Sequence, residues 1–136
     1  MKVDLQIAFL TLLLCLSPKR LLAQSETKIH PVDKKYEACR ALDYSNLGER
    51  ACLQQTLEDW DKALNKAYKS ITFSPTLKAS QLAWLAYRDK EFKHIENLFN
   101  AEGSMYPNLI LVYKIEIVKA RVLQLERYVA YQATTE

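Results

Sequence analysis

Few side chains in this sequence have the types and spacing that catalysis requires. His30 and His94 each stand apart from catalytic partners, and imidazole catalysis needs positioned partners, so we predict surface or boundary positions for both. Glu58, Asp59 and Asp61 form the densest acidic run, but helical neighbours one and two residues apart point in different directions. The sequence contains no nucleophile elbow, phosphate loop or metal-ligand signature. We therefore predict a protein that is not an enzyme and that uses no cofactor or metal.

Cys39 and Cys52 offer redox chemistry, and we predict that they form one disulfide. The third cysteine, Cys15, lies in an N-terminal segment that we expect to be removed. A metal site is the alternative, but neither histidine lies close to the cysteines in sequence and no further cysteine remains. Cysteine pairs in exported proteins are usually oxidised, and closing a loop of about 13 residues stabilises a fold by roughly 3 kcal/mol.

Residues 1–23 have the pattern of a secretory signal peptide. Residues 5–16 are mostly apolar, and Leu21 and Ala23 fit the small-residue positions of a signal-peptidase site. About a dozen apolar residues are too few for a membrane-spanning helix, which needs roughly 20. We predict cleavage after Ala23, a periplasmic or secreted location, and no stable membrane span. Retention as an uncleaved anchor is the alternative, because the charged pair at residues 19 and 20 is atypical.

Loss of that segment would leave a nearly neutral protein. The whole chain has 19 Lys and Arg residues and 16 Asp and Glu residues, for a net charge of +3. Residues 1–23 contain three basic residues and one acidic residue, so 16 basic and 15 acidic residues remain. A net charge of +1 provides no electrostatic footprint for nucleic acid or an anionic membrane. We predict neither as a partner.

Apolar residues at helical spacing predict an all-α domain over residues 34–132, between an exposed lead-in at 24–33 and a tail at 133–136. The domain should contain one short helix that carries Cys39 and three long helices: residues 34–42, 47–72, 75–102 and 106–131. The connections between the long helices are short, which favours antiparallel neighbours. We therefore predict an antiparallel three-helix bundle with a short N-terminal helix held by the disulfide.

The stretch QLAWLAYRD places Arg88 on an apolar helix face together with Gln81 and Trp84. Burying an unpaired charge is costly, so this guanidinium must be paired or lie at an edge. Counting residues back from the two turns brings Arg88 level with two candidate carboxylates, Asp61 and Glu116. We predict a contact between Arg88 and Asp61, because Asp61 lies beside the apolar stripe of the first long helix.

The third long helix has an unusually broad apolar surface. Val112, Ile115 and Leu123 widen it beyond one stripe, so the surface is either core or a patch that binds a partner. Contiguous exposed apolar patches usually mark binding surfaces, so the exposure of these three side chains distinguishes the alternatives.

A series of short motifs follows a recognisable order along the chain. Its members are the pair Cys39 and Cys52, then Leu64, Asn65 and Tyr68, then Gln81, Trp84, Tyr87, Arg88 and Asp89, then Gly103 and Ser104, then Arg121 and Leu125. In order and spacing they resemble the bacterial lysozyme inhibitor LprI-like domain over about residues 39–128. The resemblance implies mostly structural roles: Asn65 and Gln81 bridge helices, Trp84 packs, and Arg88 is paired.

The resemblance also implies a small exported protein that binds and blocks a lysozyme in the bacterial envelope. The alternative is a structural or accessory module that docks onto another envelope protein through the third long helix. The connection at residues 103–106 is the nearest candidate for a loop that enters an enzyme cleft. Phe92 and Tyr113 stand where family members often have a cysteine pair, and we predict that these two rings meet across the second turn.

Overall fold

Four α-helices make up the part of the chain that the computed structural model describes, residues 29–100 and 105–135, and this part contains no β-strand. The helices are α1 (Pro31–Arg40), α2 (Asn46–Ser70), α3 (Pro75–Leu98) and α4 (Tyr106–Ala133). The predicted all-α class is therefore confirmed. None of these four helices is both long enough and apolar enough to cross a membrane. The predicted signal peptide and Gly103 lie outside the described residues.

Side-chain caps determine where three of the helices begin. His30, Ser45 and Ser74 each accept a hydrogen bond from a backbone N–H in the first turn, at 3.2, 3.0 and 3.0 Å. Each bond satisfies a donor that the helix itself leaves unpaired. Because His30 is a cap, α1 begins at Pro31, three residues before its predicted start.

The core forms where α2 lies along α4. Trp60, Val118, Val122 and Leu125 are completely buried in this seam. The two helices run parallel, because Asn108 near the start of α4 hydrogen-bonds to residues at the start of α2, and Gln132 near its end accepts from the Thr72 backbone. The α2–α4 pair forms the most extensive helix contact in the described residues.

The predicted three-helix bundle is not confirmed. No Cα atom of α2 lies within 8 Å of a Cα atom of α3, although the two helices are neighbours in sequence. Instead α3 packs antiparallel on α4, with Gln81 opposite Arg121 and Glu96 opposite Lys114. The broad apolar surface of α4 contacts both other long helices, so α2 and α3 do not need to meet.

In that arrangement the broad apolar surface of α4 is part of the core and not an exposed patch. Ile115 is 9% exposed, and Val112 is half-buried and packs against the core cluster. Leu123 is also half-buried. None of the three side chains is exposed, so the accessory-module alternative loses the observation on which it depended.

The short helix α1 is attached to α2 by the predicted disulfide, which is confirmed. Cys39 and Cys52 are bonded, with Cα atoms 5.8 Å apart, and they are separated by 13 positions in sequence. Asp33 of α1 also forms a salt bridge with Lys119 of α4 at 2.7 Å. These links connect the start of the described chain to both helices of the core seam.

Removing the disulfide should destabilise the fold substantially. We expect the double variant Cys39→Ala/Cys52→Ala to lose about 3 kcal/mol of unfolding free energy, because the unfolded chain regains loop entropy. Chemical denaturation followed by circular dichroism measures the difference. Because Cys52 is also buried, reduced native protein is the matched control and should show most of the same loss. A change below about 1 kcal/mol in both samples would contradict the prediction.

Candidate functional site

Two grooves flank α3, one between this helix and α4 and the other between this helix and α2. The α3–α4 groove has a volume of about 610 Å³. The α2–α3 groove has a volume of about 440 Å³. The α3–α4 groove is defined by Trp84, Tyr87, Glu91, Glu116, Arg121 and Arg127, and the α2–α3 groove by Asp61, Asn65, Tyr68, Lys78, Gln81 and Arg88.

The connection between α3 and α4 is centred on a buried arginine, Arg121, which is 7% exposed. Its Nε and Nη2 atoms donate to Gln81 Oε1 at 3.1 and 3.0 Å. Nη2 also donates to Ser80 Oγ at 3.3 Å, and Nη1 donates to Gln124 Oε1 at 2.6 Å. The guanidinium carbon lies 5.8 Å from the centre of the Trp84 ring. Every acceptor is uncharged, and burial lowers the pKa of Arg121 because it disfavours the charged form.

Arg88 lies at the edge of the core rather than within it. Its side chain is 22% exposed, and Nη2 forms a salt bridge with the adjacent Asp89 at 2.7 Å. The guanidinium carbon also lies 5.6 Å from the Trp84 ring centre and 5.7 Å from that of Phe92. The predicted direct contact with Asp61 is wrong: Asp61 and Arg88 both line the α2–α3 groove, but the carboxylate that Arg88 pairs with is Asp89. Burial raises the pKa of Asp61, and the charge of Arg88 partly offsets this effect.

The predicted meeting of Phe92 and Tyr113 is also wrong. Tyr113 stacks on Phe99, with ring centres 5.2 Å apart and planes inclined by 13°. Lys114 Nζ lies over the Phe92 ring instead, 5.1 Å from its centre. The helix α3 ends at Leu98, four residues before its predicted end, and the ring of Phe99 just beyond it reaches Tyr113.

The remaining motif residues divide between the core and the surface. Gln81 bridges α3 and α4 as expected, but Asn65 hydrogen-bonds to the Asp61 carbonyl of its own helix at 3.0 Å and bridges nothing. Leu64 and Leu125 are core residues. Eight residues of the series line one of the two grooves: Leu64, Asn65, Tyr68, Gln81, Trp84, Tyr87, Arg88 and Arg121.

His30 has a role that its position in a polar lead-in did not suggest. Its ring stacks on the buried Trp60 with ring centres 4.3 Å apart, and Nε2 lies 3.3 Å from a carboxylate oxygen of Glu126. The one available sequence signal was the following Pro31, since proline favours the first helical position and makes its predecessor a cap. His94, in contrast, is exposed on α3.

Within residues 29–100 and 105–135, no three His, Cys, Asp or Glu side chains come together to form a metal-binding group. The grooves are instead lined by aromatic rings, three arginines and separate carboxylates. Such a lining suits non-covalent recognition of a partner or ligand.

Comparison with known proteins gives the family of this chain. A family model described as lysozyme inhibitor LprI matches residues 39–125, well over half of the chain. The chain belongs to the LprI lysozyme-inhibitor family. The match to LprI begins at the disulfide cysteine Cys39, ends at the core residue Leu125, and includes all of α3. Neither the curated proteins nor the solved structures gave a significant match.

The bridge between Gln81 and Arg121 should contribute strongly to stability. We expect Gln81→Ala to lower the unfolding free energy by about 2–3 kcal/mol, because a buried guanidinium loses the acceptor of two hydrogen bonds. Urea denaturation measures the loss. Gln54→Ala, at an exposed position of α2, is the matched control and should change stability by less than about 0.5 kcal/mol. Equal effects of the two variants would show that the bridge is unimportant.

Two carboxylates of α2 should affect stability with opposite sign. Burial makes ionisation of Asp61 unfavourable in the fold, so its folded-state pKa is raised above the ordinary value of 3.8. The free energy of unfolding therefore falls as pH rises from the ordinary pKa to the folded-state pKa. We expect Asp61→Asn to be more stable than the native protein at about pH 7, and to lose this advantage below about pH 3.

Asp59→Asn provides the opposite control. A hydrogen bond from Lys35 lowers the pKa of Asp59, so the ionised form stabilises the fold above the ordinary pKa. This variant should be less stable than the native protein at about pH 7, with a difference that shrinks at about pH 3. Chemical denaturation at both pH values measures the free energy of unfolding of both variants. If both variants changed it in the same direction at neutral pH, the opposite pKa shifts assigned to Asp61 and Asp59 would be refuted.

Proposed function

We propose that this protein is an exported binding protein of the bacterial envelope that inhibits a lysozyme by binding it. The observation that carries the proposal is the LprI family match, which covers the disulfide, the α2–α3 groove, the α3–α4 groove apart from Arg127, and most of the core. The Cys39–Cys52 disulfide supports an oxidising compartment, because such bonds persist mainly outside the cytoplasm. The signal-peptide pattern of residues 1–23 supports the same location.

We propose that α3 is the helix that faces the lysozyme. It has 24 residues and is therefore about 36 Å long, which is enough to span a standard protein interface. Leu82 is 57% exposed and Tyr87 is 51% exposed on this helix, although both side chains are largely apolar. Tyrosine is enriched among the residues that dominate binding energy at interfaces.

The inhibition test uses the whole chain, expressed with residues 1–23 in a bacterial host that exports and oxidises it. The intact mass of the exported product reports whether cleavage follows Ala23 and whether the disulfide is present. The product is then titrated against several lysozyme types in a cell-wall clearing assay. Dose-dependent inhibition would support the proposal, and no inhibition by folded, oxidised protein would refute it.

The variant Tyr87→Ala locates the contact surface. We expect it to weaken lysozyme binding by about tenfold to thirtyfold, because the truncation removes an exposed aromatic ring at the proposed interface. Calorimetric titration measures the affinity. Tyr44→Ala is the matched control, since Tyr44 is 82% exposed in the connection between α1 and α2, away from α3. Loss of binding in the control and not in Tyr87→Ala would move the interface to the α1–α2 end.

A further inference from the structure

The guanidinium of Arg121 has one donor that no acceptor in the described residues uses. A guanidinium has five N–H groups, and the structure shows four hydrogen bonds: one from Nε, two from Nη2 and one from Nη1. The remaining N–H is therefore on Nη1. Arg121 and Gln124, the acceptor for Nη1, both line the α3–α4 groove, so Nη1 lies on the groove side of the guanidinium.

The positive charge of Arg121 is also not neutralised. The salt bridges found among residues 29–100 and 105–135 involve neither Arg121 nor Arg127, which lines the same groove. Burying a charge without an opposite charge is costly, even when neutral hydrogen-bond acceptors are present. A bound anion would supply the missing charge at the groove wall.

The other charged groups of the groove limit how much negative charge a ligand can carry. Glu91 of α3 and Glu116 of α4 line it as well. Glu116 precedes Arg121 by five residues, or roughly 7.5 Å of helix, and Arg127 follows by six residues, or roughly 9 Å. Along α4, Arg121 therefore lies between Glu116 and Arg127, and the groove contains two carboxylates and two guanidinium groups. This balance of charge favours a single carboxylate beside Arg121 over a multiply charged anion.

The rings beside Arg121 indicate what should carry that carboxylate. Trp84 contacts the guanidinium and also lines the groove, and the half-exposed Tyr87 lies one turn further along α3. Aromatic side chains pack favourably against flat rings and apolar groups. We propose that the part of the α3–α4 groove beside Arg121 is a binding site for a carboxylate carried on a ring or apolar body.

Such a group has two sources, a small organic acid or an acidic side chain of a bound protein. The carboxylate accepts from the free Nη1–H of Arg121, and the body of the ligand packs against Trp84. The small-acid source is independent of lysozyme inhibition. The protein source rests on the proposed function, with the lysozyme as the partner.

The first experiment titrates sodium benzoate into the exported native protein and follows nitrogen–proton correlation spectra. The two tryptophans provide an internal comparison, since Trp84 lines the groove and Trp60 is completely buried in the α2–α4 seam. We expect saturable shifts of the Trp84 indole and Arg121 Nε signals, with the Trp60 indole unchanged. Benzamide, the uncharged isostere, should bind at least tenfold more weakly, and sodium chloride at equal ionic strength should produce no saturable shift. Equal binding of benzoate and benzamide, or no binding, would overturn the proposal.

Two arginine variants test the residues of the site. Arg127→Gln leaves the Arg121–Gln81 bridge intact and should weaken benzoate binding by about threefold, because one charge leaves the groove. Arg40→Gln, on α1, is the matched control and should bind benzoate as the native protein does. Arg121→Lys keeps the charge but not the Nη1 donor, and should bind at least tenfold more weakly in a sample whose Trp60 signal shows a native core. Unchanged binding in both groove variants would overturn the assignment.

A competition experiment separates the two sources and keeps this proposal distinct from the proposed function. Benzoate that displaces a bound lysozyme would identify an acidic side chain of the lysozyme as the group in the groove. Benzoate that binds without displacing lysozyme would identify a free acid as the ligand. If no lysozyme binds at all, the proposed function fails, and saturable benzoate binding still establishes the site.

Discussion

The position of α3 depends on the hydrogen bonds that buried Arg121 donates to Gln81. Only two residues of α3, Gln81 and Ile95, are buried, so apolar packing alone attaches this helix weakly to the rest of the fold. The bridge attaches α3 to α4 while α2 remains further away. The α2–α3 groove exists because of this separation, and the α3–α4 groove lies beside Arg121 itself. The interaction that positions α3 therefore also shapes both grooves.

The stability of the fold is distributed unevenly. The seam between α2 and α4 contains the completely buried Trp60 and the apolar residues around it, and the disulfide together with His30 attaches α1 to this seam. Elements with little buried surface are those that open most readily, and binding elements are often drawn from them. The least buried long helix, α3, carries five residues of the family motif, more than any other helix of the described chain. The fold thus combines a well-buried α2–α4 seam with a more weakly attached helix α3.

The sequence analysis identified Arg88 as the arginine on an apolar helix face, but the buried arginine of the structure is Arg121. Arg88 and Arg121 both stand among apolar residues at helical spacing, and the requirement that such a charge be paired or lie at an edge applies to each. Arg88 satisfies it at an edge, through its neighbour Asp89. Arg121 is the deeply buried one, and its partners are amide and hydroxyl oxygens. Periodicity identifies a helix face but does not say which neighbouring helix covers it.

The sequence by itself determined the all-α class, the approximate helix ranges, the disulfide and the family, because these depend on local spacing, capping and cysteine pairing. Ser74 and Pro75 predict the start of α3 from the sequence, and the helix begins at these residues in the structure. Only the tertiary structure decided that α2 and α4 form the core seam and that the backbone of α3 packs closely against α4 but not against α2. Helices with several apolar faces can be paired in more than one way, and the choice follows from the total area buried. That choice placed Arg121 in a groove, separated Arg88 from Asp61, and paired Tyr113 with Phe99.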